Sequence, residues 1–151
     1  MAKVLVLNGP NLNLLGEREP DHYGSSSLDD IIGDMRSLAG ACGVELAHVQ
    51  SNSEGELVDT IHGAAKDGVE YIIFNPAGFT HTSVVLRDAL LAVRIPFIEV
   101  HLSAVDAREP FRQQTYFADI AMGVISGFRG ESYLLALQAV LNRIEPGQAA
   151  K

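Results

Sequence analysis

Tyr71-Ile-Ile-Phe74 and Phe97-Ile-Glu-Val100, separated by a helix-length amphipathic stretch from Thr82 to Val93, are the segments whose reading decides the fold. Both are short, predominantly apolar runs of strand length. The pattern repeats outward from them. Val4 to Leu7, Val44 to Val49 and Ile120 to Ile125 read as further strands, and Leu28 to Cys42, Gly55 to Asp67 and Glu131 to Ile144 as helices. Near-continuous apolar strands alternating with helices predict a five-stranded parallel sheet covered on both faces, a doubly wound three-layer α/β sandwich. Helix punctuation agrees: Ser53 followed by Glu56 reads as a capping box, and Gly43 and Gly68 follow helices at the position that favours a left-handed backbone.

The 151 residues are enough for one full hydrophobic core, and no linker, repeat or low-complexity segment divides them. A single catalytic domain is expected over residues 1–145, with a frayed tail at 146–151. The net charge of −8 argues against nucleic-acid binding, so an anionic ligand would need a local cationic pocket. Cys42, the only cysteine, excludes an internal disulfide; its place in a helical stretch suggests an inert buried thiol. No run has the length of a signal or membrane-spanning segment, and the expectation is a cytoplasmic protein without membrane contact.

About twenty residues, Asn8 to Ser27, separate the first strand from its helix, where two to six are usual. The stretch is rich in glycine and serine but also carries Arg18, Glu19, His22 and Tyr23, a composition that suggests a lid bearing chemistry. In an open parallel sheet the ligand crevice lies beyond the carboxyl ends of the strands. Here those ends are Asn8-Gly-Pro-Asn-Leu-Asn13, Asn75-Pro-Ala-Gly-Phe-Thr-His81 and Glu99-Val-His-Leu-Ser103.

Glu99 and His101 stand two apart on a strand and so share a face; a carboxylate there fixes the imidazole tautomer and favours its protonated form. That tunes a general acid. A structural histidine satisfied by its neighbour is the bland alternative, and a zinc site of His81, His101 and Glu99 is another. Tyr23 is a poor base unless cations stabilise its phenolate, which Arg18, Arg108 and Arg112 could do if they converge. Thr80-His-Thr-Ser83 is expected to open the third helix and offer anion-binding amides. A flavin-binding reading is opposed by Pro10 within the first strand-end loop, a phospho-receiver by Asn8 and Asn75 where acids are needed, and a serine hydrolase by the missing Gly-x-Ser-x-Gly elbow.

Taken together, Asn8-Gly-Pro-Asn-Leu-Asn-Leu-Leu-Gly16, Arg18-Glu-Pro20 with Tyr23-Gly24, Asn75 to Ser83, Glu99 to Ser103 and Arg108-Glu-Pro-Phe-Arg112 closely resemble a type II 3-dehydroquinate dehydratase, in order from Val4 to about Leu141. The resemblance implies a flavodoxin-like fold, metal-free and cofactor-free dehydration of 3-dehydroquinate to 3-dehydroshikimate, and a homo-oligomer, a dodecamer built from trimers. It implies Tyr23 as the base, with Arg18 and Arg108 supporting its phenolate. Asn11 would hold the water that stabilises the enolate, and His101, oriented by Glu99, would be the acid. Asn75 with the Leu102 and Ser103 backbone would bind the carboxylate, His81 and Arg112 the ring hydroxyls, and Asp88 would reach a neighbouring subunit's site. Lys3, Lys66 and Lys151 are the only lysines and none falls at a predicted carboxyl strand end, which independently leaves an imine mechanism without a nucleophile. Pro76-Ala-Gly-Phe79 departs from the glycine-then-alanine order and the tyrosine of many relatives, a change the backbone is expected to tolerate.

Overall fold

The computed structural model describes residues 1–16 and 26–144. Strand β1 (Lys3–Asn8) sends Val4 and Val6 to one face and Leu5 and Leu7 to the other, and all four are buried. A strand buried on both faces must be central and covered by two helical layers. It pairs in parallel with β2 (Glu45–Gln50) on one side and β3 (Tyr71–Asn75) on the other; β4 (Phe97–His101) and β5 (Gly123–Ser126) complete the order β2-β1-β3-β4-β5. Val4, Val6, Ile73, Ile98 and Val100 pack beneath α1 (Leu28–Ala41) and α4 (Glu131–Leu141). Leu5, Leu7, Ile72, Phe74 and Phe97 pack beneath α2 (Glu54–Lys66) and α3 (Val84–Val93). The expected five-stranded three-layer sandwich is the observed one. No helix among the described residues is long and apolar enough to cross a membrane.

Several local expectations need correction. The last strand starts at Gly123 and not at Ile120, because the amides of Ile120 and Ala121 both turn back to the Phe117 carbonyl and the ladder resumes only where Met122 N–H donates to Phe97 O. α3 begins at Val84 because Ser83 Oγ caps it by accepting from Leu86 N–H at 3.0 Å; residues Ala77–His81 form a separate 3-10 turn. At α2, Ser53 Oγ accepts from Glu56 N–H, but the Ser53 amide donates to Ser51 Oγ, so the box has only one half. The complete reciprocal box is at α1, between Ser27 and Asp30. The final helix stops at Leu141, short of Ile144. Gly43 and Gly68 do take left-handed conformations, with φ of 72° and 77°. Cys42 is exposed, since it caps the end of α1 beyond the stripe that faces the sheet. The tail at 146–151 lies outside the described residues.

Gly9 is the tightest point of the frame. Its amide donates to Asn75 O at 2.8 Å, and a Cβ built on it would stand 2.4 Å from Pro76 O. The chains leaving β1 and β3 touch there backbone to backbone. Gly9→Ala should therefore destabilise the fold by about 1–3 kcal/mol through forced separation of these chains. Urea unfolding should show this as a lower midpoint at an unchanged slope.

Candidate active site

A cavity of about 150 Å³ opens above the carboxyl ends of β1, β3 and β4, beside the point between β1 and β3 where the strand order reverses. Asn11 comes from the loop after β1; Asn75 and His81 come from the end of β3 and the turn after it; His101, Leu102, Ser103, Arg108 and Arg112 follow along and beyond β4. These eight expected site residues are thus brought together. Glu99 stands behind His101, as its spacing required. Asp88 lies exposed on α3 and does not line the cavity. Arg18 and Tyr23, with Glu19 and His22, lie outside the described residues.

The wall from β4 is built on the α2/α3 face of the sheet, the face that also takes Phe97. Glu99 is 1 % exposed, and its Oε2 accepts from His101 Nε2 at 2.6 Å, Thr80 Oγ1 at 2.7 Å and Thr115 Oγ1 at 2.9 Å. Burial pushes the Glu99 pKa upward, but the hydrogen bond and charge of His101, with the two threonine hydroxyls, outweigh it and hold the carboxyl below its usual value. Because a carboxylate only accepts, Nε2 of His101 carries a proton, and Nδ1 is the nitrogen left for exchange with a ligand. Thr80 has the residue type of a helix cap, yet its hydroxyl belongs to this cluster. Of the segment expected to offer anion-binding amides, His81 lines the cavity while Thr82, Ser83 and Val84 do not, and the Thr82 and Ser83 amides both donate to Phe79 O.

His81 Nδ1 meets the carbonyl of Gln114 at 2.7 Å, which assigns the proton to Nδ1 and makes Nε2 of the neutral ring an acceptor. Arg112 and Arg108 follow β4 on successive 3-10 turns, with Glu109 between them. Arg112 Nε donates to Glu109 Oε2 at 2.6 Å and its guanidinium stacks 5.0 Å over the Phe111 ring, while Arg108 Nε lies 3.9 Å from the same carboxylate. Glu109 is held below its usual carboxyl pKa first by its backbone hydrogen bond and then by Arg112. The cationic corner expected from the acidic overall charge is present, partly balanced by Glu109, an acid that the motifs alone do not single out. His81, His101 and Glu99 are not brought together as a ligand set: among the described residues no group of three or more His, Cys, Asp or Glu could hold a metal ion.

The wall from β1 and β3 is built on the opposite face. Asn75 accepts from Ala77 N–H through Oδ1 at 3.0 Å and donates through Nδ2 to the Tyr133 hydroxyl at 2.9 Å. Asn11 has a left-handed backbone, φ 70°, and its amide donates to Asn52 Oδ1. Tyr133, Thr115 and Asn52 are site-supporting residues that the sequence motifs do not reveal. Tyr133 has the spacing of an ordinary core position on an amphipathic helix; the available signal is that a buried phenol needs a polar partner, and the polar strand ends could supply one.

Both the sequence and the fold match known proteins. The model of the family described as dehydroquinase class II matches residues 2–141. The chain belongs to that family. It is 60 % identical over 144 residues to a 3-dehydroquinate dehydratase of Hahella chejuensis, covering 95 % of this chain and 98 % of that one. It is 59 % identical over 145 residues to 3-dehydroquinate dehydratase 1 of Pseudomonas aeruginosa, covering 96 % and 99 %. The crystal structure of the type II dehydroquinase of Butyrivibrio crossotus superposes with a TM-score of 0.90 at 38 % identity, over 93 % of this chain and 97 % of that one. As a class II dehydroquinase the chain is an enzyme, and its five-stranded parallel sheet is that of the type II structures.

The Glu99 cluster makes acid stability depend on its threonines. A carboxyl held below its ordinary 4.5 contributes stability that is complete above about that pH and is lost as pH falls through the lower folded value. Thr80→Val with Thr115→Val removes two donors, raises the folded pKa and shrinks that contribution. Acid unfolding followed by circular dichroism should therefore reach its midpoint at a higher pH in the double variant.

Proposed function

We propose that this enzyme dehydrates 3-dehydroquinate to 3-dehydroshikimate by acid–base elimination through an enolate. The observation that carries the reading is the buried Glu99–His101 pair opening into a cavity that also presents Asn11, Asn75, His81 and Arg112. Tyr23, as phenolate supported by Arg18 and Arg108, takes the C2 proton next to the ketone. The electron pair passes to the carbonyl oxygen, where a water held by Asn11 stabilises the enolate. On collapse of the enolate the C1–O bond breaks, and His101 Nδ1 gives its proton to the departing hydroxyl, which leaves as water. The C1–C2 double bond formed is conjugated with the ketone. Glu99 fixes the ring and stabilises its imidazolium form.

Asn75, with the backbone N–H groups of Leu102 and Ser103, holds the substrate carboxylate. Arg112 and His81 hold ring hydroxyls, and the acceptor Nε2 of His81 suits a donated O–H. Elimination through an enolate, and not an imine, is supported by the lysines among the described residues: Lys3 opens β1 at the amino end of the central strand, opposite the cavity, Lys66 closes α2, and neither lines the cavity. The acting unit is proposed to be a dodecamer built from trimers, with Asp88 completing a neighbour's site beside Arg112. Exposed Val84, Val85 and Leu91 on the same helix as Asp88 support a subunit contact there.

Incubation with 3-dehydroquinate should produce the absorbance of a conjugated enone, and no absorbance change would sink the reaction assignment. Tyr23→Phe should bind substrate but lose turnover; near-normal turnover would remove Tyr23 as the base. His101→Ala should lower kcat by roughly 10²–10⁴-fold, the range for loss of a general acid. In sedimentation, activity should travel with the oligomer, and an active monomer would refute the assembly.

A further inference from the structure

Tyr133 is a titratable group beneath the cavity floor that the proposed reaction does not use. It lies on α4 with its hydroxyl between Asn8, the last residue of β1, and Asn75, the last residue of β3; exposures of Tyr133, Asn8 and Asn75 are 0 %, 0 % and 2 %. The direction of every hydrogen bond here follows from one fixed end. A backbone N–H can only donate, so the Asn75 atom 3.0 Å from Ala77 N is the carbonyl oxygen, and Nδ2 is turned to Tyr133. An amide nitrogen also only donates, so the phenol oxygen accepts there, and its one proton goes to Asn8 Oδ1 at 2.5 Å. Asn8 Nδ2 then faces His48 Nε2 at 3.0 Å, and that nitrogen accepts. The chain Asn75 to Tyr133 to Asn8 to His48 has a single sense. Burial pushes the Tyr133 pKa well up against the smaller opposing effect of the Asn75 hydrogen bond, so the proton stays on the phenol.

This order closes off the alternative orientation of the Asn75 amide. Reversed, Asn75 would set Nδ2 against the Ala77 N–H and demand the phenol proton for Oδ1, leaving the buried Asn8 Oδ1 without a donor. In the observed order one Asn75 N–H is spent on Tyr133, and the second is the donor the residue can offer the cavity it lines. We infer that Tyr133, backed by Asn8 and His48, is a positioning residue that locks the Asn75 amide so that an N–H, and not a carbonyl oxygen, meets the substrate carboxylate. The inference rests on the proposed reading of Asn75 as a carboxylate ligand. Its consequence is specific: the lock acts on a group held alike in ground and transition states, so its loss should appear in KM more than in kcat.

The test is steady-state kinetics with 3-dehydroquinate on Asn75→Ala, Tyr133→Phe and the double variant, each checked for folding. Asn75→Ala is expected to raise KM. Tyr133→Phe, which keeps the ring and removes only the hydroxyl, is expected to raise KM on the order of ten-fold with a smaller change in kcat. Added to Asn75→Ala it should do nothing further to KM. If Asn75→Ala raises KM but folded Tyr133→Phe does not, the hydroxyl is merely structural and the inference is overturned while the carboxylate reading stands. If Asn75→Ala leaves KM unchanged, both fall. Should Tyr133→Phe not fold, His48→Leu at the half-buried end of the chain decides: a raised KM that vanishes in the Asn75→Ala background supports the lock, and an unchanged KM refutes it.

Discussion

A parallel sheet buried on both faces gives the polar side chains at its strand ends no water to turn to, and the organisation of this site follows from that constraint. Asn8, Asn75 and Glu99 are each at most 2 % exposed. A buried polar group left without a partner costs about 1–3 kcal/mol, and a charge more, so the answers come from within the protein; Glu99 is answered through Oε2 alone, its Oε1 being buried without a hydrogen-bond partner among the described residues. Side chains alternate faces along a strand, so the answers come from different layers. The asparagines ending β1 and β3 share the face of Val4, Val6 and Ile73 and meet Tyr133 of α4; Glu99 and His101 share the face of Phe97 and meet the threonines that follow β3 and β4.

The two clusters differ in character in a way that suits their proposed tasks. The one around Tyr133 is neutral and directional: each amide has its oxygen and nitrogen assigned, and what it delivers is a fixed donor. The one around Glu99 is charged and convergent, with three donors on a single carboxylate oxygen. What it delivers is a stabilised negative charge beside an imidazole. A binding wall needs geometry; an acid needs a potential. Placing them on opposite faces lets α4 tune one without moving the threonines that tune the other, while the cavity between them receives both.

Much of this is legible in the sequence because the signals are local. The spacing of apolar runs predicts the layers, and the two-residue interval from Glu99 to His101 predicts their shared face. Gly43 and Gly68 mark helix ends through their own backbone freedom. What is not legible depends on partners distant in the chain. Tyr133 is 125 positions from Asn8 and carries the helical spacing of a core residue. Thr115 sits in a segment with no periodicity. The exposed Cys42 and the late start of β5 show the same limit: an apolar or small residue at the end of a pattern is assigned by what packs or turns against it.

The turns that leave the two central strands show how the site is held open. Asn11 and Ala77 both line the cavity, and both have left-handed backbones, φ 70° and 53°, although neither is glycine. Such a conformation costs an alanine roughly 1–2 kcal/mol, and asparagine less because its short side chain can bond locally. In each case the amide of the strained residue donates to the side-chain oxygen of an asparagine: Asn11 to Asn52, Ala77 to Asn75. Ala77 takes the left-handed position, while Gly78, with open space where a Cβ would stand and no positive φ, does not need its freedom. The Asn75 carboxamide that donates to the Tyr133 hydroxyl from one side holds the Ala77 amide from the other. One side chain thus joins the strain of the turn to the orientation of the wall, so that a change at either reaches the other.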